Sequence, residues 1–310
     1  MVPLHPTIRV RPLLKWAGGK GQLLPEIRRF YPDRFGGYIE PFFGSGAVFF
    51  DLHRLGRLEN RDVVLIDSNA DLMGCYESVR DEPDAVNDAL SSLAAAHTRR
   101  GSAHYYHVRD FLFNPLREAC RTADGRIAYT PALAAMFIYL NRTGFNGLFR
   151  VNARGGFNVP AGRYLRPSIA DPVRLRQASA ALSGPRVRLV WGSFEELRAF
   201  ARRGDFLYID PPYAPISRTS SFTAYTQPRF DLPEQRRLQQ LVVALARRGC
   251  QVLLSNSTAA EIGALYDTNR EARASGLRAL RVPARRAINS NAARRGPVEE
   301  FLITNIRGDR

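Results

Sequence analysis

A glycine-bearing loop between a strand and a helix constrains the fold of this chain more than any other feature. Residues 38–39 read as a short strand, the loop contains Gly44 and Gly46, and residues 47–55 follow as an apolar helix. Residues 63–66 then read as a second buried strand. Strand, crossover helix and strand in this order make a βαβ unit with two parallel strands. The chain is therefore expected to be an α/β protein.

The same alternation of strands and helices returns near residue 188, beyond a long stretch of different character. The predicted elements there are strands at 188–191, 206–209 and 251–255, helices at 195–202 and 233–247, and a closing hairpin of 279–282 with 300–303. Residues 70–140 are predicted to be mostly helical, and residues 141–164 are rich in glycine, asparagine, arginine and aromatic side chains. The pattern predicts a doubly wound α/β core, residues 1–69 and 171–310, interrupted by a mostly helical insertion, residues 70–170.

The charge of the chain indicates a polyanionic partner. Its 310 residues include 45 basic and 29 acidic side chains, which gives a formal net charge of +16. Lys15 and Lys20 are the only lysines, so the other 43 basic residues are arginine. A codon bias can exchange lysine for arginine, but it does not create a surplus of positive charge. Nucleic acid is therefore the favoured partner.

Several other classes of function are not indicated. Cys75, Cys120 and Cys250 are an odd number without metal-ligand spacing and read as reduced thiols. His104 and His107 have no further histidine or cysteine cluster, so no metal site is expected. The first residues lack the apolar segment of a signal peptide, and the longest apolar run is too short to cross a bilayer. The expectation is a cytoplasmic protein without a membrane partner, either a monomer or a weak dimer.

A tetrapeptide of one acid, two prolines and one aromatic residue follows the predicted strand 206–209. It consists of Asp210, Pro211, Pro212 and Tyr213. Two prolines end a buried strand abruptly, and in open α/β sheets ligands bind just beyond the carboxyl ends of the strands. Prolines have no N–H, so a carbonyl beside them can accept a hydrogen bond from a ligand. A carboxylate, this carbonyl and an aromatic face suit a base with an exocyclic amino group. The alternative is an ordinary strand-ending turn.

The glycine loop indicates a nucleoside ligand without a phosphate chain. Gly44 and Gly46 lead into a helix N-terminus, but the loop matches neither Gly-x-Gly-x-x-Gly nor a phosphate-binding loop. Asp67 ends the next predicted strand, where a carboxylate can accept hydrogen bonds from both ribose hydroxyls. The alternative role for Asp67 is a turn or helix cap. S-Adenosylmethionine fits this arrangement, since it has a ribose, an amino-acid end and no phosphate.

Taken in order, the motifs resemble one family. They are Lys-Trp-Ala-Gly-Gly-Lys (15–20), Glu-Pro-Phe-Phe-Gly-Ser-Gly (40–46), Asp67 and Asp-Pro-Pro-Tyr (210–213), with further matches at 139–150, 157–160, 221–225 and 285–291. The chain thereby resembles the DNA adenine methylase (Dam) family of D12-class N6-adenine DNA methyltransferases. The resemblance implies a Rossmann-like methyltransferase sheet with an inserted target-recognition domain. It also implies methyl transfer from S-adenosylmethionine to N6 of an adenine flipped out of double-stranded DNA.

The resemblance implies roles for the motif residues. Hydrogen bonds from the adenine amine to Asp210 and to the Pro211 carbonyl would direct the nitrogen lone pair towards the methyl donor. Tyr213 would stack on the flipped base. Positioning the donor in line supplies much of the acceleration, so neither a metal nor a covalent intermediate is needed. The residues assigned to the cofactor are Trp16, Lys20, Glu40, Phe42, Gly44, Gly46, Asp67, Phe194 and Asp210.

A DNA-reading set is implied in the same way. The residues assigned to DNA are Lys15, Phe145, Asn146, Leu148, Arg150, Pro160, Arg285 and Arg286. Arg150 would read a guanine edge and Lys15 the outer guanine, which makes GATC the expected target. Phe145 stands where the family often has tyrosine, and it would wedge into the base stack. The alternatives are core packing for Phe145, a phosphate contact for Arg150, and a solvated loop for Arg285 and Arg286 with Arg294 and Arg295.

Other functions remain open. A cytosine-N4 methyltransferase faces the same amine chemistry, but such enzymes more often carry serine at the position of Asp210. An RNA or protein methylase is disfavoured because the insertion resembles that of the DNA enzymes. A catalytically silent DNA-binding relative would bind cofactor without turnover. The sequence does not distinguish a restriction-modification role from host regulation or a phage origin, and nucleoid association is an expectation.

Overall fold

The computed structural model describes residues 12–16, 18–214, 230–285 and 297–308. The α-helices of this part are α1 (Leu24–Arg28), α2 (Ala47–Arg54), α3 (Ala70–Asp81), α4 (Pro83–Arg100), α5 (Ser102–His107), α6 (Asn114–Ala119), α7 (Pro131–Thr143), α8 (Pro172–Leu182), α9 (Leu197–Phe200), α10 (Leu232–Arg248), α11 (Ala260–Tyr266) and α12 (Arg270–Ala274). The strands are β1 (Tyr38–Glu40), β2 (Val63–Asp67), β3 (Val187–Trp191), β4 (Phe206–Ile209), β5 (Gln251–Ser257), β6 (Arg278–Arg285) and β7 (Pro297–Thr304). Short 3-10 helices occupy Lys20–Gln22, Phe145–Gly147 and Phe194–Glu196, and a π-helical stretch occupies Val108–Phe113.

The described strands form one mixed sheet in the order β3-β2-β1-β4-β5-β7-β6. β1 runs parallel to β2 and to β4, and β4 runs parallel to β5. β7 is antiparallel to both β5 and β6, which makes the predicted closing hairpin. Strand order reverses between β1 and β4, the feature that places a ligand site in open α/β sheets. The predicted Rossmann-like α/β fold is confirmed.

The central strands form because their residues are apolar on both faces. All of β4 is buried, and the ring of Phe206 in β4 lies 5.6 Å from the rings of Phe35 and Tyr38. A parallel sheet is covered on both sides, so its strands read as continuous apolar runs rather than alternating ones. Burial of each such aromatic side chain contributes about 1.5–3 kcal/mol.

The described chain forms two compact units. The first holds the described residues of Met1–Gly19, Gly44–Glu59 and Asp67–Trp191, and the second holds those of Lys20–Phe43, Asn60–Ile66 and Gly192–Arg310. Residues 70–170 lie within the first unit, where α3 to α7 give them the predicted helical character. Their assignment as a target-recognition domain stays a prediction.

Helix α7 is the centre of the first unit. Thr130 precedes it and accepts a hydrogen bond from Leu133 N at 3.3 Å, and Pro131 opens the first turn. Such a cap and proline are typical of a helix N-terminus. The longest apolar run of the sequence forms this helix, and its residues from Leu133 to Thr143 are buried. None of the described helices is long and apolar enough to span a membrane.

The predicted and observed helices differ in several places. The predicted helix 195–202 is a 3-10 helix, Phe194–Glu196, followed by the short α9. Helix α8 was not predicted, although Asp171 followed by Pro172 is a cap signal, and Asp171 accepts from Arg174 N at 3.0 Å. Helices α11 and α12 are short and also went unpredicted, because one or two turns show too little periodicity.

Candidate active site

The carboxyl ends of β1 and β4 lie side by side where the strand order reverses. β1 ends in Glu40, and β4 runs directly into Asp210. Glu40 is buried and accepts a hydrogen bond from the Tyr38 hydroxyl at 2.7 Å. The second unit therefore presents two carboxylates at the edge where α/β proteins bind ligands.

Asp210 is held by two donors that both bind the same carboxylate oxygen. The Lys20 ammonium lies 2.7 Å from Oδ1, and the Ser255 hydroxyl donates to Oδ1 at 2.8 Å. The Lys20 and Asp210 side chains are only 7% and 17% exposed. Burial raises the pKa of Asp210, while the ammonium and the hydroxyl oppose that rise. No described residue donates to Oδ2, so this oxygen can accept from a ligand.

The backbone after Asp210 is fixed by two buried amide side chains. Gln235 Nε2 donates to the Pro212 carbonyl at 2.9 Å, and Asn256 Nδ2 donates to Gln235 Oε1 at 3.1 Å. Asn256 Oδ1 in turn accepts from Ala214 N at 3.4 Å. Within the described residues, the Pro211 carbonyl receives no hydrogen bond. It is the second acceptor of the motif that a ligand can use.

Tyr213 is held at its hydroxyl and over one part of its ring face. Its hydroxyl donates to Glu300 Oε2 at 2.8 Å, and the Lys20 ammonium lies 4.5 Å from the ring centroid. Burial raises the pKa of Tyr213, and the carboxylates of Asp210 and Glu300 raise it further. The hydroxyl therefore stays protonated, and the ring keeps one orientation beside the carboxylate.

Three aromatic rings form a second surface in the same unit. Phe42 stacks on Phe194 with centroids 5.8 Å apart and planes at 22°. Phe230 meets both rings edge-on, at 5.4 Å from Phe42 and 5.7 Å from Phe194. Phe42 and Phe194 were predicted to bind the cofactor, and the structure brings them together. Phe230 was missed, because one phenylalanine just before a helix carries no local signal.

Asp67 and the glycine loop are joined in the first unit. Gly44 N donates to Asp67 Oδ2 at 2.9 Å, and Asn69 N donates to Oδ1 at 2.9 Å. Burial raises the pKa of Asp67, and these backbone donors oppose the rise. The Tyr76 hydroxyl also donates to the Gly44 carbonyl at 3.1 Å. Asp67 thus makes the contacts of a turn residue, which was the alternative to a ribose contact. Its carboxylate still has lone pairs that can accept from further donors.

Trp16 lies against this glycine loop. A Cβ on Gly44 would come within 3.0 Å of Trp16 Cδ1, and the φ of +49° at Gly44 also disfavours side chains. Gly46 has a φ of 66° and precedes α2 directly. The indole stacks on Phe149, with centroids 6.0 Å apart and planes at 23°. The sequence therefore keeps glycine where an aromatic ring and a loop approach closely.

Residues 143–162 form an irregular hairpin that carries most of the predicted DNA contacts. Phe145 N donates to the Pro160 carbonyl at 2.9 Å, and Asn158 N donates to the Arg150 carbonyl at 3.0 Å. Phe145 is 48% exposed, so its ring is not part of the core. Asn146 beside it adopts a left-handed φ of 53°, and Leu148 is partly exposed. Five of the eight residues assigned to DNA therefore lie on this hairpin, namely Phe145, Asn146, Leu148, Arg150 and Pro160.

Arg150 is exposed and partly pre-positioned. Its Nε donates to Asn158 Oδ1 at 2.8 Å, and Nη2 donates to the Asn158 carbonyl at 3.3 Å. A guanidinium has five N–H donors, so several remain for a ligand. Asn158 belongs to the motif match at 157–160, and its contact with Arg150 is apparent only in the folded hairpin.

Lys15 is tied to the same hairpin by Asn141. Lys15 N donates to Asn141 Oδ1 at 2.9 Å, and Asn141 Nδ2 donates to the carbonyls of Lys15 at 2.7 Å and Gly147 at 3.0 Å. The exposed Lys15 ammonium lies 4.2 Å from the centroid of Tyr164. The first unit thus places Lys15 next to the turn that carries Phe145.

Some predicted residues cannot be placed in this way. Of Arg285, the end of β6, only the backbone is described, and Arg286, Arg294, Arg295 and the motif match at 221–225 lie outside the described residues. Across the described part of the chain, no group of three or more histidine, cysteine or acidic side chains is arranged to hold a metal ion.

The fold agrees with comparisons to known proteins. Residues 16–282 match the family described as D12 class N6 adenine-specific DNA methyltransferase. The chain belongs to this family, whose members are transferases that act on DNA.

Relatives match almost the whole chain. The type II methyltransferase M.MjaIII of Methanocaldococcus jannaschii is 38% identical over 309 residues, 96% of this chain and 100% of the relative. The type II methyltransferase M1.LlaDCHI of Lactococcus lactis subsp. cremoris is 36% identical over 301 residues, 96% of each chain. The DNA adenine methylase of Escherichia coli (strain K12) is 33% identical over 292 residues, 94% of each chain.

Proposed function

We propose that this protein transfers a methyl group from S-adenosylmethionine to N6 of an adenine flipped out of duplex DNA, with GATC as the target. One observation carries the proposal: Asp210 Oδ2 and the Pro211 carbonyl are two adjacent acceptors of the motif to which no described residue donates. An adenine amino group has two N–H donors and can satisfy both. Lys20 and Ser255 occupy Asp210 Oδ1, and Gln235 occupies the Pro212 carbonyl, so these neighbouring acceptors are already satisfied.

The protein groups activate the amine by hydrogen bonding. The nitrogen lone pair of adenine is delocalised into the ring, which makes the amine a poor nucleophile. When the amino group donates hydrogen bonds to Asp210 and to the Pro211 carbonyl, its two N–H bonds point towards these acceptors. The nitrogen lone pair is then left facing the methyl donor. Asp210 is the acceptor for the proton that the nitrogen loses. The Lys20 ammonium favours the ionised carboxylate, and the Tyr213 ring supports the base by stacking.

The residues assigned to the cofactor fit its chemistry. Its sulfonium supplies an electrophilic methyl group. The Phe42–Phe194–Phe230 surface offers stacking for an adenine ring, and Asp67 offers lone pairs for ribose hydroxyls. Gly44 and Gly46 have no side chains that would block the approach of the cofactor to this loop. The full proposed set is Trp16, Lys20, Glu40, Phe42, Gly44, Gly46, Asp67, Phe194 and Asp210.

The proposed DNA contacts lie on the hairpin and beside it. Residues 70–170 are proposed as the target-recognition domain, because they contain the exposed Arg150 and Phe145. Arg150 would bond O6 and N7 of one guanine, and Lys15 would contact the outer guanine. The full proposed set is Lys15, Phe145, Asn146, Leu148, Arg150, Pro160, Arg285 and Arg286.

Analysis of the methylated product tests the reaction. The protein is incubated with S-adenosylmethionine and unmethylated DNA, and the DNA is digested to nucleosides for mass spectrometry. N6-methyladenine is the expected product, and methylated GATC sites would establish the target. N4-methylcytosine would overturn the choice of base. Cofactor binding without any methylated nucleoside would favour the silent DNA-binding alternative.

Replacement of Arg150 by alanine is expected to reduce discrimination at one guanine by about 1–3 kcal/mol, because a bidentate contact to the base edge is lost. The measurement is kcat/KM on duplexes in which each guanine of the site is changed in turn. Arg154→Ala is the matched control, since Arg154 is exposed on the same hairpin. An equal loss on every duplex would make Arg150 a phosphate contact instead.

Replacement of Asp67 by alanine is expected to weaken cofactor binding at least about tenfold, because hydrogen bonds to a charged acceptor contribute about 1.5–3 kcal/mol. Isothermal calorimetry with S-adenosylmethionine measures the effect. Asp67 also accepts from the Gly44 and Asn69 backbones, so thermal unfolding must be followed in parallel. Asp67→Asn keeps one acceptor oxygen and should lose less affinity for the cofactor than Asp67→Ala. Unchanged affinity in a folded Asp67→Ala protein would refute the ribose contact.

A further inference from the structure

Ser255 is a buried residue of β5 whose hydroxyl contacts Tyr208 of the neighbouring β4 and Asp210, the residue that follows β4. Its Oγ lies 2.8 Å from Asp210 Oδ1 and 3.3 Å from the Tyr208 hydroxyl. β4 and β5 pair in parallel, with Ile209 opposite Leu254, so Ser255 lies next to Asp210 by register. Ser255 has no measurable exposure to solvent. Its place is thus set by the sheet rather than by a flexible side chain.

The direction of these hydrogen bonds follows from protonation. An ionised Asp210 can only accept, so Ser255 must donate to it. The serine oxygen then accepts from Tyr208, whose hydroxyl stays protonated because burial raises its pKa. The chain of donors runs from Tyr208 through Ser255 to Asp210. This chain ends on Oδ1, the oxygen that also binds Lys20.

We propose that Ser255 is a positioning residue for methyl transfer, which fixes the rotation of the Asp210 carboxylate so that Oδ2 faces the adenine amine. The proposal rests on the proposed function, since that function assigns Asp210 as the acceptor. Lys20 alone cannot do this. Its ammonium is a compact charge with rotatable donors that does not distinguish the two carboxylate oxygens, and the terminal torsion of aspartate is broad. A hydroxyl fixed on a buried strand selects one oxygen.

The same contact affects the ionisation of Asp210. The charged or titratable groups around it are Lys20, Tyr208, Tyr213, Glu40 and Glu300. Burial raises the pKa of Asp210, whereas the ammonium and the Ser255 hydroxyl lower it. Loss of the hydroxyl removes one of the lowering contributions, so the pKa rises further. The ionised form is the one needed, and the acid limb of kcat against pH should therefore move to higher pH.

Single-turnover methylation by Ser255→Ala is the first part of the test. We expect the rate constant to fall about tenfold, the loss expected for one hydrogen bond to a charged group. The KM values for DNA and cofactor should change little, and the acid limb should move upward. Ser255→Thr keeps a hydroxyl and should retain the wild-type acid limb. This second variant keeps the test informative if Ser255→Ala is poorly folded.

Ser257→Ala is the matched control for a purely structural effect. Ser257 is also buried in β5, and its hydroxyl donates to the Ala214 carbonyl at 2.7 Å, away from Asp210. It should leave the acid limb in place. Equal rate losses in both alanine variants without a shifted limb would overturn the positioning role. Wild-type kinetics in Ser255→Ala would also overturn the positioning role. The proposed function would be unaffected by that result, provided that the wild-type protein forms N6-methyladenine. A wild type that forms none overturns the proposed function and this role together.

Discussion

Replacement of Asp210 by alanine is expected to reduce methyl transfer by roughly a thousandfold, the scale at which removal of a positioned acceptor acts. The variant loses the free Oδ2 and also leaves the Lys20 ammonium without its carboxylate. The Pro211 carbonyl alone cannot orient both N–H bonds of the amine. The measurement is single-turnover formation of N6-methyladenine, with DNA and cofactor affinities determined on the same protein.

The buried ion pair complicates this experiment, and a second substitution resolves it. Removal of one partner of a buried pair costs about 3–5 kcal/mol, because the other charge stays buried without compensation. Asp210→Ala should therefore unfold at a lower temperature. The double variant Lys20→Met/Asp210→Ala removes the uncompensated ammonium and should recover stability but not activity. Substantial turnover by either variant would remove Asp210 from its proposed role.

The elements that position the site could be predicted because their signals are local. The apolar run before Asp210 and the two prolines after it identify a buried strand and its end within eight residues. The loop with Gly44 and Gly46 identifies the first crossover in the same way. Periodicity and turn chemistry act over a few residues, so one chain is enough to read them.

The partners that complete the site could not be predicted, because they meet through the sheet. Ser255 is 45 residues from Asp210, and Glu300 is 87 residues from Tyr213. Gln235 reaches Pro212 from α10. A serine within a strand or a glutamine in a helix belongs to no local sequence pattern that would predict such a contact. Lys20 was assigned to the cofactor, and the structure places its ammonium on Asp210, a contact that the spacing of the two residues does not reveal.

A second buried ion pair supports the hairpin that carries Arg150. Arg117 of α6 binds Asp71 of α3 through two hydrogen bonds, Nε to Oδ1 at 2.6 Å and Nη2 to Oδ2 at 2.8 Å. The Tyr129 hydroxyl adds a third at 2.9 Å, and the two charged side chains are 8% and 4% exposed. Arg117 Nη1 also donates to the Gly155 carbonyl at 2.7 Å. The pair thus joins two helices to the tip of the hairpin.

Replacement of Asp71 by alanine is expected to lower the free energy of unfolding by about 3–5 kcal/mol, since it strands a buried guanidinium. Urea denaturation measures the loss, and Asp71→Ala/Arg117→Met should recover much of it. Asp84→Ala is the exposed control, because Asp84 pairs with Arg176 where the side chains are 77% and 68% exposed. In the double variant the hairpin loses the Arg117 anchor at Gly155, so discrimination between duplexes should fall although stability returns. Equal losses from Asp71→Ala and Asp84→Ala would contradict the structural importance of the buried pair.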